Sequence, residues 1–210
     1  TYICFNVKII CNLVLLTATF FLASCGDDDA IYSPKPRGYF RIDFPEKKYQ
    51  TYTSTCPYTF EIPAYSRMAA DAHAGAEPCW TNLEFPQFRA TLHLSYKAVN
   101  GNVAQYLEDS HMLANEHQKK ASGLDEVVVL RDSARVFGLF FDITGNSASS
   151  VQFYLTDSTR HFLRGALYFN CMPNSDSLKV VVDFLKKDIL HLINTTAWKT
   201  PERASTRQSK

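Results

Sequence analysis

The stretch Ala90-Thr-Leu-His-Leu-Ser-Tyr-Lys-Ala98 decides the fold class. An apolar or aromatic side chain stands at every second position of this stretch, and polar side chains stand between them. Because successive side chains of a strand point to opposite faces of a sheet, the alternation predicts a strand with one buried and one wetted face. Such strands are typical of antiparallel sheets, which often leave one face to solvent.

Two amphipathic helices are predicted downstream of this strand. Asn102 is a candidate N-cap for the first helix, and Gly123 is its natural stop. The second helix follows from apolar residues at helical spacing between Leu178 and Ile193, with lysines on the opposite side. Further strands are predicted at 58–62, 135–144, 149–157 and 160–170, with 126–130 as an additional candidate.

These elements predict one α+β domain over residues 34–198, in which two helices pack on an antiparallel sheet. The order of strands and helices is similar to that of the Mog1/PsbP-type α/β/α sandwich. That fold accommodates binding and scaffold roles, and it implies no particular chemistry. Residues 199–210 are polar, and we predict a disordered tail there.

The first 24 residues predict an export signal. Lys8 supplies a positive start, the run from Ile9 to Ala23 is almost entirely apolar, and Leu22-Ala-Ser-Cys25 closes it. The apolar run is shorter than the ~20 residues of a membrane span. Leu-Ala-Ser-Cys resembles the bacterial lipobox, in which the signal is cut before the cysteine and a lipid is attached to its thiol. We therefore predict cleavage after residue 24 and lipidation of Cys25, which would hold the chain to a membrane.

Residues 25–33 are predicted to form a polar tether. The three adjacent carboxylates of Asp27, Asp28 and Asp29 repel each other, which favours an extended, solvated spacer. An acidic run at this place also resembles the surface-export signal of Bacteroidetes lipoproteins. The sequence leaves both interpretations open.

The charge balance argues against a nucleic-acid partner. The chain has 22 Lys and Arg residues against 21 Asp and Glu. Lys8 is the one charged residue of the predicted signal, so the mature chain would be neutral apart from its histidines. A neutral chain gives no electrostatic attraction to a polyanion.

Three cysteines remain in the predicted domain, and an exported domain meets an oxidising compartment. Cys56 begins a turn before one predicted strand, and Cys79 stands just before Trp80, where another strand could start. We predict a Cys56–Cys79 disulfide, which would stabilise the domain by ~3 kcal/mol in the chain-entropy model. Cys171 is then unpaired, and we expect it to be buried.

No constellation of residues indicates catalysis, a metal site or a cofactor. Gly145-Asn-Ser-Ala-Ser149 approaches a nucleophile elbow but lacks its second glycine, and it joins two predicted strands. The six histidines are scattered, and no Cys-x-x-Cys spacing occurs. We predict a protein that is not an enzyme and that binds no metal.

A proline-stiffened segment is the best candidate for a binding surface. Its basic residues alternate with aromatics, and such rigid aromatic and arginine side chains often dominate the energy of protein interfaces. The alternative is a segment that covers the sheet edge and buries its aromatics. The partner-binding candidates are Lys35, Arg37, Tyr39, Phe40 and Arg41.

Several long stretches resemble the GldD family of gliding-motility lipoproteins from Bacteroidetes. They are Pro-Lys-Pro-Arg-Gly-Tyr-Phe-Arg-Ile-Asp-Phe-Pro at 34–45, Cys-Pro-Tyr-Thr-Phe at 56–60, Cys-Trp at 79–80, His-Leu-Ser-Tyr-Lys at 93–97, the block 145–169 and Asp-Ile-Leu-His-Leu at 188–192. The resemblance implies a non-enzymatic lipoprotein that supports gliding motility and the associated type IX secretion machinery. It also implies other envelope proteins of that machinery as partners. We expect a location in the cell envelope, at the outer membrane rather than the inner.

A second hypothesis is an envelope lipoprotein that binds a small ligand or a glycan. It would use an aromatic sheet face carrying Tyr96, Phe153 and Tyr168, and it predicts a concave aromatic pocket. A third hypothesis, an envelope hydrolase, requires a nucleophile–base pair that the sequence does not offer.

Overall fold

The alternating stretch forms strand β5 with the predicted bounds, Ala90–Ala98. The computed structural model describes residues 41–118, 121–171 and 175–199. The other strands are β1 (Tyr49–Thr53), β2 (Tyr58–Pro63), β3 (Arg67–Ala70), β4 (Thr81–Phe85), β6 (Ala121–Arg131), β7 (Val136–Gly145), β8 (Ser149–Thr156), β9 (His161–Phe169) and β10 (Ala197–Trp198). The helices are α1 (Val103–Gln118) and α2 (Ser175–Thr195), with short 3-10 turns at Pro86–Phe88 and Asp132–Ala134.

Seven strands form the main sheet, in the order β3-β4-β5-β9-β8-β7-β6. Every neighbouring pair is antiparallel, so β3 and β6 are the two edges. A second sheet has the order β1-β2-β10 and is also antiparallel. The sequence did not predict this small sheet as a separate layer.

The main sheet is covered on both faces. Leu92, Leu94 and the other inward residues of one face pack with α2 and with β2 in the larger core. On the opposite face, Phe141 and Phe162 pack with α1 in a smaller core. The predicted fold class, α+β with two helices packed on an antiparallel sheet, is therefore confirmed.

The region after α1 differs from the prediction. The first helix was expected to continue to Gly123, whereas the chain is already in strand β6 from Ala121. Leu124 pairs with Ile143 of β7, and both lie in or against the smaller core, so the strand satisfies the backbone and buries the same apolar residues. The candidate strand at 126–130 is thus the second half of a strand of 11 residues.

Of the three cysteines in the described residues, two pair as predicted and the third differs from the prediction. Cys56 and Cys79 form a disulfide, with their Cα atoms 5.6 Å apart and a sequence separation of 23. Cys171 was expected to be buried, but it is exposed, because it follows the end of β9 in the link to α2.

Within the described residues, neither helix is long and apolar enough to cross a membrane.

Candidate functional site: an anchoring cluster on the second helix

The buried carboxylate of Asp188 is the centre of a polar cluster that joins three distant segments of the described structure. Asp188 lies on α2 and is 1% exposed. Lys47 places its Nζ 2.7 Å from Oδ1, and the Tyr49 hydroxyl donates to the same oxygen at 2.8 Å. The Tyr65 hydroxyl donates to the other carboxylate oxygen. A buried carboxylate is costly unless it is paired and hydrogen-bonded, and here three donors meet it. We call Lys47, Tyr49, Tyr65 and Asp188 the anchoring cluster.

Aromatic residues extend the anchoring cluster toward the N-terminal side. The Lys47 ammonium also donates to the carbonyl of Phe184 at 3.0 Å and lies 3.6 Å from the centroid of the Phe184 ring. Phe44 stacks on the same ring, with centroids 4.4 Å apart. Residues 42–49 are therefore bound to α2 by ionic, cation–π and apolar contacts together.

A second contact joins β2 and α2 beside the cluster. The Tyr49 ring stacks on the His191 ring at 3.7 Å between centroids. His191 Nε2 lies 2.6 Å from Glu61 Oε2, and this carboxyl belongs to β2. The small sheet and the helix are thus linked through side chains as well as through the core.

The electrostatics of the anchoring cluster keep its two tyrosines neutral. Burial raises the pKa of both Tyr49 and Tyr65, and the hydrogen bond and negative charge of Asp188 raise it further. Both hydroxyls therefore remain donors at physiological pH. The Asp188 carboxylate is occupied by the Lys47 ammonium and two tyrosine hydroxyls, so it is not available as a base. The arrangement fits a structural role, in which the cluster fixes residues 42–49 to α2.

A cleft lies beside the first turns of α2. It has a volume of about 350 Å³, and residues from α2 and from β7 and its following turn line it. Lys186 pairs with Asp142 of β7 and with Asp183, and Lys179 pairs with Asp183. The charged groups that line this cleft therefore neutralise one another.

Most of the predicted binding residues lie outside the described part of the chain. These are Cys25, Lys35, Arg37, Tyr39 and Phe40. Arg41 opens the described part and is exposed. The first residue of the anchoring cluster, Lys47, lies six positions after Arg41, and sequence reasoning missed the cluster. The available signal was an acidic residue inside the apolar stripe of α2, since Asp188 falls at helical spacing from Leu185 and Leu192.

The aromatic face of the ligand-binding hypothesis does not exist as predicted. Tyr96 and Phe153 pack into the larger core, and Phe153 is only 1% exposed. Tyr168 lies on the opposite face, where its hydroxyl is 3.2 Å from His117 Nε2 of α1. The prediction was wrong because Tyr168 stands an odd number of positions from Leu167, a core residue of the other face.

The described residues contain no group of three His, Cys, Asp or Glu side chains that could hold a metal ion. The segment at 145–149 joins β7 to β8, and Ser147 donates to the backbone carbonyl of Ser149 at 2.9 Å. Its hydroxyl is therefore used within a strand-to-strand turn, which is not the geometry of a nucleophile elbow.

Comparison with known proteins identifies the family. The family model described as gliding motility lipoprotein GldD matches residues 29–198. The chain belongs to this family. The match takes in the whole anchoring cluster and ends at the last residue of β10. No curated protein matches the chain.

Among solved structures, this GldD-family chain is similar to that of cyanobacterial PsbP (CyanoP) from Synechocystis sp. PCC 6803. The similarity has a TM-score of 0.46 at 10% sequence identity, over 76% of this chain and 97% of that chain.

Proposed function

We propose that this chain is an envelope lipoprotein, held to a membrane by a lipid on Cys25, that acts as a non-enzymatic component of the gliding machinery. We extend the proposal to the associated type IX secretion machinery and place the protein at the outer membrane. The observation that carries it is the family match over residues 29–198. Lipid attachment at Cys25 rests on the sequence Leu-Ala-Ser-Cys.

The anchoring cluster supports this role physically. An anchored component needs its domain to be fixed to the segment that follows its tether, and residues 42–49 are bound to α2 by Asp188, Phe184 and Lys47. The cluster offers no free base or nucleophile. A role in positioning other proteins fits this arrangement better than a role in chemistry.

The experiment uses the full chain, tagged at its C-terminus and expressed in its native host at the level of the native gene. Lipid labelling, membrane fractionation, crosslinking with mass spectrometry, colony spreading and secretion of exported proteins are measured together. Cys25→Ala is compared with Cys171→Ser, since Cys171 is an exposed thiol away from the predicted lipid site. Both variants remove one sulfur, so the comparison isolates the lipid.

We expect Cys25→Ala to lose the lipid label, leave the membrane fraction and lose both its crosslinked envelope proteins and its support of spreading or secretion. Cys171→Ser should behave as the wild type does. The proposal fails if the wild type crosslinks no envelope protein reproducibly, or if Cys25→Ala supports spreading and secretion fully.

A further inference from the structure

Strand β6 carries an exposed run of apolar side chains at the edge of the main sheet. Val127, Val128 and Leu130 are 52%, 62% and 70% exposed. β6 is the last strand of the sheet, so one side of its backbone faces no other strand of the described sheet. Natural edge strands usually carry charges or prolines that prevent pairing with another chain. The run Val-Val-Val-Leu at 127–130 has neither.

The apolar run on β6 belongs to a larger apolar patch that also includes residues of β7. Val128 pairs with Leu139 of β7, and Leu130 pairs with Phe137. All four side chains lie on the sheet face that α1 covers, but α1 packs over the beginning of β6, near Ala121. The second half of β6 extends past the helix. Val128 and Leu130 therefore remain exposed in the folded domain.

Two of the three charged residues on β6, Asp125 and Arg131, are arranged so that the strand is complementary to itself, and the third, Glu126, would lie opposite Leu130 of the other copy. Asp125 and Arg131 stand three residues on either side of Val128. In an antiparallel pair of two identical strands centred on Val128, each Asp125 lies opposite the Arg131 of the other strand. Residues 125 and 131 point to the same sheet face, because they pair with the even-numbered Asp142 and Val136 of β7. The two ion pairs would thus form on one face.

The guanidinium of Arg131 is held by backbone carbonyls at the C-terminal end of α2. Its Nη1 donates to the carbonyl oxygens of Ile193 and Thr196, at 3.1 and 2.6 Å. These acceptors orient the guanidinium but carry no net charge. Asp125 is exposed. Opposite charges placed directly across a strand pair stabilise it, and like charges destabilise it.

We propose that β6 binds β6 of a second copy of this chain in antiparallel register about a two-fold axis at Val128. The contact joins two seven-stranded sheets into one continuous sheet and covers Val127, Val128 and Leu130. A two-fold contact uses the same surface on both copies, which explains why the charges of one strand complement each other. Pairing with the strand of an unrelated partner would not require Asp125 and Arg131 to stand at equal distances from Val128. The inference does not depend on the role in motility.

A cysteine on the two-fold axis tests the register. Opposed Cα atoms in an antiparallel pair are about 4.5–5.5 Å apart, which a disulfide can bridge. Val128→Cys is introduced into the full-length lipoprotein with Cys171→Ser, because Cys171 is an exposed thiol that would give background crosslinks. The matched control is Arg67→Cys, an exposed position on β3 at the other edge of the same sheet.

On mild oxidation of intact membranes, we expect Val128→Cys to give a covalent species of twice the chain mass and Arg67→Cys to give little. The proposal is overturned if the two positions crosslink equally or not at all. An adduct between Val128→Cys and a different protein would show that a partner strand occupies the edge, and it would overturn the second copy as occupant. A ladder of higher species would also overturn it, because a two-fold contact closes at two copies.

A charge variant tests the two ion pairs independently. Asp125→Arg places two arginines opposite each other at both ends of the contact, while Asp109→Arg makes the same charge change at an exposed position on α1. Sedimentation equilibrium of the full chain in detergent gives the dimer dissociation constant. We expect an increase of about tenfold for Asp125→Arg and little change for Asp109→Arg. Equal constants for both variants, or a monomer at every concentration of the wild type, would contradict the proposal.

Discussion

Asp188 shows how one residue can fix the position of a distant segment. Its carboxylate gathers donors from residues 47, 49 and 65, which lie more than 120 positions earlier in the sequence. The sequence offers the acidic residue within an apolar helical stripe, but it gives no way to find the three donors. Such a cluster is defined by tertiary contacts between segments whose local patterns are unrelated.

Asp188→Asn should destabilise the fold strongly. The amide removes the negative charge, so Lys47 loses its counter-ion and two tyrosine hydroxyls compete for one acceptor oxygen. Breaking a buried pair from one side costs about 3–5 kcal/mol. Urea unfolding measures this change. Asp183→Asn on the same helix, whose side chain is 46% exposed, should cost under about 1 kcal/mol. If both variants lose a similar amount of unfolding free energy, the anchoring cluster contributes no more to stability than an exposed ion pair does.

Asp157 is a second carboxylate with a structural role, in the turn between β8 and β9. Burial alone would raise its pKa, but hydrogen bonds from the backbone N–H groups at 159–161 and from the Thr159 hydroxyl outweigh burial and lower the pKa to about 2. Because the folded-state pKa lies below the ordinary value of 3.8, ionised Asp157 stabilises the native state above that value.

Asp157→Asn should therefore cost about 2 kcal/mol at neutral pH. The difference from the wild type should shrink as the pH falls from about 4 toward 2, where the wild-type carboxyl becomes protonated as well. Chemical denaturation at a series of pH values measures this. Asp109→Asn, at an exposed position of α1, is the control. A difference that stays constant down to pH 2 would assign the loss to geometry instead of charge.

At the scale of elements, the strands with strict alternation were predictable and β6 was not. Strand β5 has one buried face along its first half, so its period-two pattern is preserved in the sequence. β6 is exposed on both faces over 125–128, and its apolar run shows no alternation. Ala121 also keeps the phase of α1, so the local pattern continues the helix. Pairing with β7 overrides that preference, and no local signal reports it.

Gly138 shows how closely β7 and β8 approach each other. A Cβ atom at this position would lie 1.9 Å from the backbone oxygen of Tyr154, so one strand would have to move. Gly138→Ala should therefore cost at least about 2 kcal/mol, by analogy with overpacked cores. Thermal melting followed by circular dichroism measures this. Gly75→Ala, where a Cβ would meet nothing closer than 3.5 Å, should leave the melting temperature nearly unchanged.

At the scale of the whole molecule, the disulfide and the two cores hold the chain together. Cys56 precedes β2 of the small sheet and Cys79 precedes β4 of the main sheet, so the covalent bond joins the two sheets. The pairing was predictable because the chain offers only three cysteines after the predicted lipid site. The separate small sheet was not, since β10 contains only two residues.

Replacing both Cys56 and Cys79 with serine should lower the free energy of unfolding by about 3 kcal/mol, as expected for a loop of this length. Guanidinium titration with and without reductant measures the loss. The wild type should approach the double variant when reduced, and Cys171→Ser should retain the full response to reductant. If reductant leaves the wild-type midpoint unchanged, the disulfide contributes nothing to stability.

The position of the anchoring cluster also has a mechanical consequence. β1 is an edge strand of the small sheet, and a pull along the chain from its N-terminal side would peel such a strand away one hydrogen bond at a time. Phe44, Lys47 and Tyr49 meet α2 before or at the start of β1, so tension from that side enters the long helix and the larger core first. In single-molecule pulling from residue 41, Lys47→Met should lower the rupture force. These side chains are the coupling through which a load on the N-terminal side would reach the domain.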